Sequence, residues 1–371
     1  MTVPEQPIPE QPIPEQLVQP ELSVIVPVLN EAAVLPALLT QLKQQQGIAV
    51  QIVVADGGSS DSSVAIAEAA GATVLRTAAG RATQMNAGAA IADAEHVLFL
   101  HADSGLPDTQ LLRRALDALL AEQHGADSQP VAGHFALRFI GEHSGQQHTP
   151  PFGYRYLQTK TALNRENTTN GDQGLLISRA DFNAQGGFDD SLPFLEDQRV
   201  AEQLRREGRW ITLPARLDTA ARRFESEGFV RRYTLMSIMM GLFAIGAMQF
   251  FRRAGDVYRH QQDTRRLQLA PFLSVAWSVL LELSWRERIA LGRYVARNAW
   301  QFALMCDVWR DRSLGTGAPE PAAPPTLRFY DEYLAWFFNS RVVGAITFAL
   351  VVIWFFGILW PTFALIDRNR S

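Results

Sequence analysis

The chain has 371 residues, a formal charge of −4 at pH 7 and an ordinary apolar fraction of 47%. That length allows one large domain with appendages, and the acidic balance argues against a nucleic-acid partner. The single Cys306 excludes an internal disulfide, and no Cys/His cluster has zinc spacing.

Lys43 and Lys160 are the two lysines, so the positive charge is nearly all guanidinium, which suits phosphate and carboxylate pairing. Residues 1–21 carry the repeat "PEQPI PEQPI PEQ" without a basic or an apolar signal region, and read as a disordered Pro/Glu/Gln tail. "LSVIVPVL" (22–29) is a short apolar run ended by Asn30 and Glu31, as a buried strand would be. "VLPALLTQLKQQ" (34–45) then has helical spacing at Leu35, Leu38, Leu39 and Leu42, and "VQIVVA" (50–55) is a second buried strand. The order β, α, β with short connections predicts parallel pairing through a right-handed crossover.

The alternation continues with a helix over 62–70, a strand over 72–76, a helix over 82–91, the strand "HVLFLHAD" (96–103) and a helix from Pro107 to about Gln123. The economical fold is α/β: a doubly wound, Rossmann-like, mostly parallel sheet. Further along come a strand-like 131–139, a loop at 141–150 and a helix-like 154–165. After these come "GLLIS" (174–178), "GGFDDSLPFLED" (186–197), a helix from Gln198 and "RWITLP" (209–214), a second half suited to an acceptor.

Asp56, at the end of the second strand in "VVADGGSSDSS", sits where open α/β sheets bind ligands. Gly-Gly followed by Ser, Ser and Asp is also what any strand-to-helix turn would use. His101 and Asp103 end the fourth strand and should open onto the same edge; two acids there, Asp56 and Asp103, can serve a nucleotide and its metal. Between these strands, "AAGRATQMNAG" (78–88) places Arg81, Gln84 and Asn86 near a helix N-terminus, a suitable place for a pyrophosphate. Neither a P-loop nor a dinucleotide fingerprint is present. Glu196 and Asp197 open a helix, where acids also simply suit the macrodipole.

The C-terminal part reads as membrane-associated. From Arg205 to Arg266 there are 13 arginines against six acids, around an apolar run at 235–251 that could span, re-enter or lie flat. The expected boundaries are 22–225 for the catalytic domain, 226–314 for a basic, amphipathic helical region, 315–326 for a linker and 327–371 for a C-terminal region. Residues 342–366 run 25 positions without a charge, long enough for a transmembrane helix.

In this order and spacing, "SVIVPVLNE", "VVADGGSSDSS", "GRATQMNAGAA", "LFLHADS" and "GGFDDSLPFLEDQRVAEQLRREGRW" resemble family 2 glycosyltransferases of the GT-A fold over about residues 22–215. The wording "DGGSSD" and "GRATQMNAG" is similar to the branch associated with arsenosugar biosynthesis. The resemblance implies inverting transfer of a sugar from a nucleoside diphosphate donor, usually UDP-linked, to a hydroxyl on a lipid or small-molecule acceptor, with Mg²⁺ or Mn²⁺ on the diphosphate.

On that resemblance Asp56 matches the acid near base and ribose, and Asn30 and Glu31 the strand end beside the nucleobase. Asp103 matches the last Asp of the family's D-x-D, and Asp197 the general base, supported by Glu196. His101 stands where the first Asp of D-x-D usually lies, which puts metal affinity in doubt, and Gly57 stands where many members carry a second Asp. Asp172 and Gln173, in "NGDQGLLIS", are candidates to orient the acceptor. The expected location is the inner membrane with the catalytic domain cytoplasmic, where nucleotide sugars are made. The competing readings are a nucleotidyltransferase and a membrane-tethered nucleotide-sugar-binding module with a degenerate site.

Overall fold

The structure is a computed structural model that describes residues 19–125, 129–141, 150–169, 171–192, 195–260, 267–316 and 324–368. The repeat tail up to residue 18, residues 142–149 of the loop expected at 141–150, residues 317–323 of the expected linker, and Pro193 and Phe194 lie outside the described residues.

Four parallel strands open the fold: β1 (Leu22–Val28), β2 (Val50–Asp56), β3 (Thr73–Arg76) and β4 (His96–Phe99). They alternate with the helices α1 (Leu35–Lys43), α2 (Ser63–Ala69) and α3 (Arg81–Ala90), and α4 (Leu111–His124) follows. Their apolar runs are continuous because both sheet faces are covered. Val24, Val26 and Val28 point into a core shared with α1 and α4, while Ile25 between them points into a second core with α3.

Beyond β4 the sheet departs from the expected doubly wound, mostly parallel pattern. Strands β5 (Ser104–Gly105), β6 (Val131–Ile140), β7 (Leu175–Ser178) and β8 (Arg209–Ala220) complete an eight-stranded mixed sheet in the order β3-β2-β1-β4-β7-β6-β8-β5. β7 is antiparallel to both its neighbours, β4 and β6, and β5 is antiparallel to β8. The reason lies in the route of the chain. After α5 (Phe152–Ala162) the segment Gly171–Gln173 lies at the carboxyl edge beside His101, so the strand leaving it must run back through the sheet. Then α6 (Arg179–Ala184) and α7 (Glu196–Glu207) cover the same face as α3.

The helical region starts with α8 (Arg222–Glu227) and α9 (Phe229–Ala244). The apolar run at 235–251 is not one helix. It breaks at Ile245–Ala247, where Gly246 has a φ of +73°, and continues as α10 (Met248–His260). Three further helices, α11 (Leu269–Glu282), α12 (Trp285–Arg297) and α13 (Trp300–Arg310), pack beside them. The turn leading into α12 is fixed by a capping box between Ser284 and Glu287. Among the described residues one helix, Arg341–Asp367, is long and apolar enough to cross a membrane.

Candidate active site

In the sheet order, β1 lies between β2 and β4, and the chain turns away from it in both directions. That reversal opens a crevice beyond the carboxyl ends of the strands. Val28 and Asp56 are paired in register, so Asn30, Asp56 and the segment from His101 to Asp103 all lie along this edge. Among these, several side chains build the edge itself. Asp56 is buried and accepts hydrogen bonds from the backbone N–H groups of Gly58 (3.1 Å) and Ser59 (3.1 Å), closing the glycine turn. Asn30, at a φ of +56°, accepts from the N–H groups of Ser60 (2.8 Å) and Asp61 (3.3 Å) and so ties β1 to the same turn.

Three amides expected at ligands are engaged inside the fold. Gln84 is buried and donates to the carbonyls of Val28 (2.8 Å) and Ala55 (2.7 Å), clamping β1 to β2 beneath the crevice. Asn86 donates to the Phe188 carbonyl (2.8 Å) and accepts from its N–H (2.9 Å), fixing α3 to the segment before α7. Gln173 is fully buried and donates to the carbonyls of Phe135 (2.9 Å) and Thr161 (3.1 Å). These amides have their hydrogen-bond partners within the fold.

The charged residues do converge. His101 Nδ1 lies 2.8 Å from Asp172 Oδ1, which orients the ring across the crevice. Burial opposes the ionisation of Asp172, but the hydrogen bond and charge of His101, with Arg81 and Arg223 beyond, hold its carboxyl well below the usual range. On the facing side Leu195, at a φ of +63°, turns the chain so that Glu196 and Asp197 become the first residues of α7. Glu196 is buried with Oε1 3.5 Å from Arg81 Nη1. Burial and the Glu196 charge push the Asp197 carboxyl up to about 6, against the lowering effect of Arg81, His101 and a hydrogen bond from Gln198. Both acids border a small pocket lined also by His101, Phe99, Phe188 and Trp210.

At the other end of the crevice burial, then the charge of Asp103, raises the Glu31 carboxyl, while Arg222 and Arg223 lower it. Glu31 and Asp103 are thus close acids beside two exposed arginines from the start of α8. In the sequence these arginines belong to the general basic excess of 205–266. Their signal was an Arg-Arg pair directly after a strand, at the carboxyl edge once β8 is known to reach Ala220.

Residues 23–181 match the family model described as glycosyl transferase family 2. They form a family 2 glycosyltransferase domain. The family is one of glycosyl-transferring enzymes. Over 115 residues the chain is 34% identical to a PGL/p-HBAD biosynthesis glycosyltransferase of Mycobacterium bovis (strain BCG / Pasteur 1173P2), an alignment covering 29% of this chain and 44% of that protein. The same figures hold for a protein of that name from Mycobacterium tuberculosis (strain ATCC 25177 / H37Ra). The chain therefore spans less than half the length of these curated relatives.

The glycosyltransferase domain is also similar to solved structures. One is the mannosyltransferase PcManGT from Pyrobaculum calidifontis in complex with GDP-Man and Mn²⁺, at 16% identity and a TM-score of 0.45, covering 91% of this chain and 88% of that one. Another is S. aureus TarS 1-349 in complex with UDP-GlcNAc, at 16% identity and a TM-score of 0.44, covering 80% and 90%. At these scores the likenesses assign no residue a role. None of these similarities ties the chain to the arsenosugar branch.

Proposed function

We propose that this chain is an inverting glycosyltransferase that moves a sugar from a nucleoside diphosphate donor, UDP-linked by the resemblance of its motifs, to a hydroxyl acceptor. The acceptor is a lipid or small molecule met at the cytoplasmic membrane face. Placement in the arsenosugar branch rests on the wording of "DGGSSD" and "GRATQMNAG" alone. The observation that carries the reading is Asp197. It is a carboxyl raised to about 6, at the start of a helix, facing His101 across a pocket at the carboxyl edge of the sheet.

A carboxylate poised near the operating pH suits a general base. Asp197 takes the proton of the acceptor hydroxyl as its oxygen attacks the anomeric carbon. The bond from that carbon to the diphosphate breaks, and the electron pair leaves with the diphosphate, on the opposite face. Asp197 then returns its proton to solvent. Glu196, held beside Arg81, keeps the first turn of α7 in place and raises its neighbour. The developing charge on the leaving group falls within reach of a cationic crevice bordered by Arg81, Arg222 and Arg223, which supports electrostatic stabilisation there.

The donor set fits a hard divalent cation. Glu31 is raised partly by Asp103, so two neighbouring acids would gain from a cation between them, and Mg²⁺ or Mn²⁺ habitually takes one or two carboxylates plus substrate phosphates. Asp103 and Glu31 would hold the ion, with His101 two residues before Asp103 at the same strand end; among the described residues no group of three or more His, Cys, Asp or Glu is gathered for a metal. Bound there, the ion would supply Lewis-acid stabilisation of the diphosphate. The test is a panel of nucleotide sugars with Mn²⁺ or Mg²⁺, read as release of nucleoside diphosphate. Turnover of one donor supports the proposal. Tight binding of a donor with no release would favour the binding-module reading instead.

A further inference from the structure

The apolar helix Arg341–Asp367 is about 40 Å long at 1.5 Å per residue, enough to span a bilayer, yet each of its ends packs on a helix, α12 or α9, that is itself bonded to residues of the catalytic domain. Its first turns cross α12 where two glycines meet. A Cβ at Gly292 would run into the Gly344 carbonyl oxygen, and one at Gly344 into Arg293. α12 is in turn tied to the catalytic domain directly after that crossing. The Tyr294 hydroxyl donates to Asn167 (2.9 Å), and Arg297 donates to Glu166 (3.1 Å).

The far end is held as firmly. Asp367 Oδ1 lies 2.8 Å from Arg231 Nη1, with only 15% and 6% of the two side chains exposed. The Arg231 guanidinium also stacks 4.9 Å from the Phe363 ring and donates to the Leu267 carbonyl (2.8 Å). Breaking so buried a pair leaves an uncompensated charge, so the contact is not a loose surface encounter. Arg231 stands in the first turn of α9, two residues before Tyr233, whose hydroxyl lies 3.0 Å from that of Tyr156 in α5. Between the two ends, Phe348, Phe356 and Trp360 pack on the core of α9 to α11.

A helix whose two ends are held by α12 and α9, each bonded to the catalytic domain, cannot carry its C-terminal end through a membrane while those contacts and that domain stay on one side. Its other face still needs an apolar partner. Val342, Ile346, Leu350, Ile353 and Leu365 are 56–70% exposed and recur at helical spacing along one stripe. Exposed Trp285, Trp309 and Val342 are each followed or preceded by an exposed arginine, Arg286, Arg310 and Arg341, the pairing of apolar body and cation found at a boundary with anionic headgroups. We infer that Arg341–Asp367 lies in the plane of the membrane surface, its outer stripe in the acyl boundary of an anionic phospholipid leaflet and its inner face docked on α11 and α12, rather than spanning the bilayer.

The test uses the full chain with Cys306, which is exposed, replaced by serine, and with Asn339→Cys or Ser371→Cys added singly. Each is probed with a membrane-impermeant maleimide in right-side-out and in inverted membrane vesicles. Both cysteines reacting from the same face as the catalytic domain is the expected result; reaction from opposite faces overturns the inference. As a second readout, Ile346→Glu with Leu350→Glu should cut co-sedimentation with phosphatidylglycerol-containing vesicles about tenfold, because apolar area would no longer be removed from water. Unchanged co-sedimentation, or a wild-type chain that does not sediment with vesicles, also overturns it. Neither arm reads sugar transfer, so failure here is distinguishable from failure of the proposed activity.

Discussion

His101 Nδ1 and Asp172 Oδ1 lie 2.8 Å apart, although 71 positions separate them in the chain. The contact joins the end of the β4 segment to the segment that turns back into β7, and it holds the imidazole toward the crevice where the donor diphosphate is placed by the proposed function. Carboxylates that orient a histidine beside a cation typically matter 10- to 100-fold for the cation's affinity. Asp172→Asn should therefore require about tenfold more Mn²⁺ for half-maximal donor turnover, while kcat at saturating Mn²⁺ changes little. A Mn²⁺ titration of the variant checks this.

Arg222 and Arg223 face Glu31 and stand at the mouth of the crevice. Hydrogen bonds to charged groups contribute about 1.5–3 kcal/mol. Arg223→Gln should raise the KM for the nucleotide sugar by about tenfold, with steeper loss at higher salt, and leave thermal stability nearly unchanged because the side chain is exposed. Steady-state kinetics at two ionic strengths, with a melting curve, separates the two effects.

Gln84 should behave in the opposite way. Its amide satisfies the carbonyls of Val28 and Ala55 in a buried position, so Gln84→Leu strands two acceptors at a cost of about 2 kcal/mol or more. Chemical denaturation should show that loss, and the folded variant should bind donor with wild-type affinity.

These contrasts show what the sequence could disclose. The first strands and helices were legible because each apolar run ends at a polar residue and the helices between them keep apolar residues on one face, as Leu35, Leu38, Leu39 and Leu42 do in α1. The antiparallel course of β7 was not legible, because direction depends on where Gly171–Gln173 stands in space. β8 was expected to stop at Pro214 but continues to Ala220, since its pairing with β6 resumes beyond the irregularity between His134 and Ala136. Glu196 and Asp197 open a helix, as their place in the sequence suggests. Gln84, Asn86 and Gln173 were ambiguous for a physical reason: an amide near a crevice can reach a ligand or a backbone carbonyl, and the carbonyls they meet are 12 to 102 positions away.

Asp197 gives a prediction in pH. Its carboxyl rises from 3.8 to about 6 on folding, so the folded chain binds this proton more tightly than the unfolded one. The stability contributed by the protonated form is present below about pH 4 and is lost as the pH climbs through about 6. Asp197→Asn should therefore be as stable as the wild type or more so at pH 7, with a flatter dependence of Tm on pH between 4 and 6. Catalysis runs the other way. A base must be unprotonated, so wild-type turnover should fall about tenfold per pH unit below about 6.

The most direct measurement of the proposed mechanism compares wild type with Asp197→Asn on the donor found in the panel, in single-turnover transfer and in equilibrium binding. Removing a positioned base costs roughly 10²- to 10⁴-fold in rate. The expected result is a loss of that size in transfer with an unchanged Kd for the nucleotide sugar. Wild-type transfer by Asp197→Asn would contradict the account, and if Glu196→Gln were inactive in the same assay, the base would be the neighbouring carboxylate.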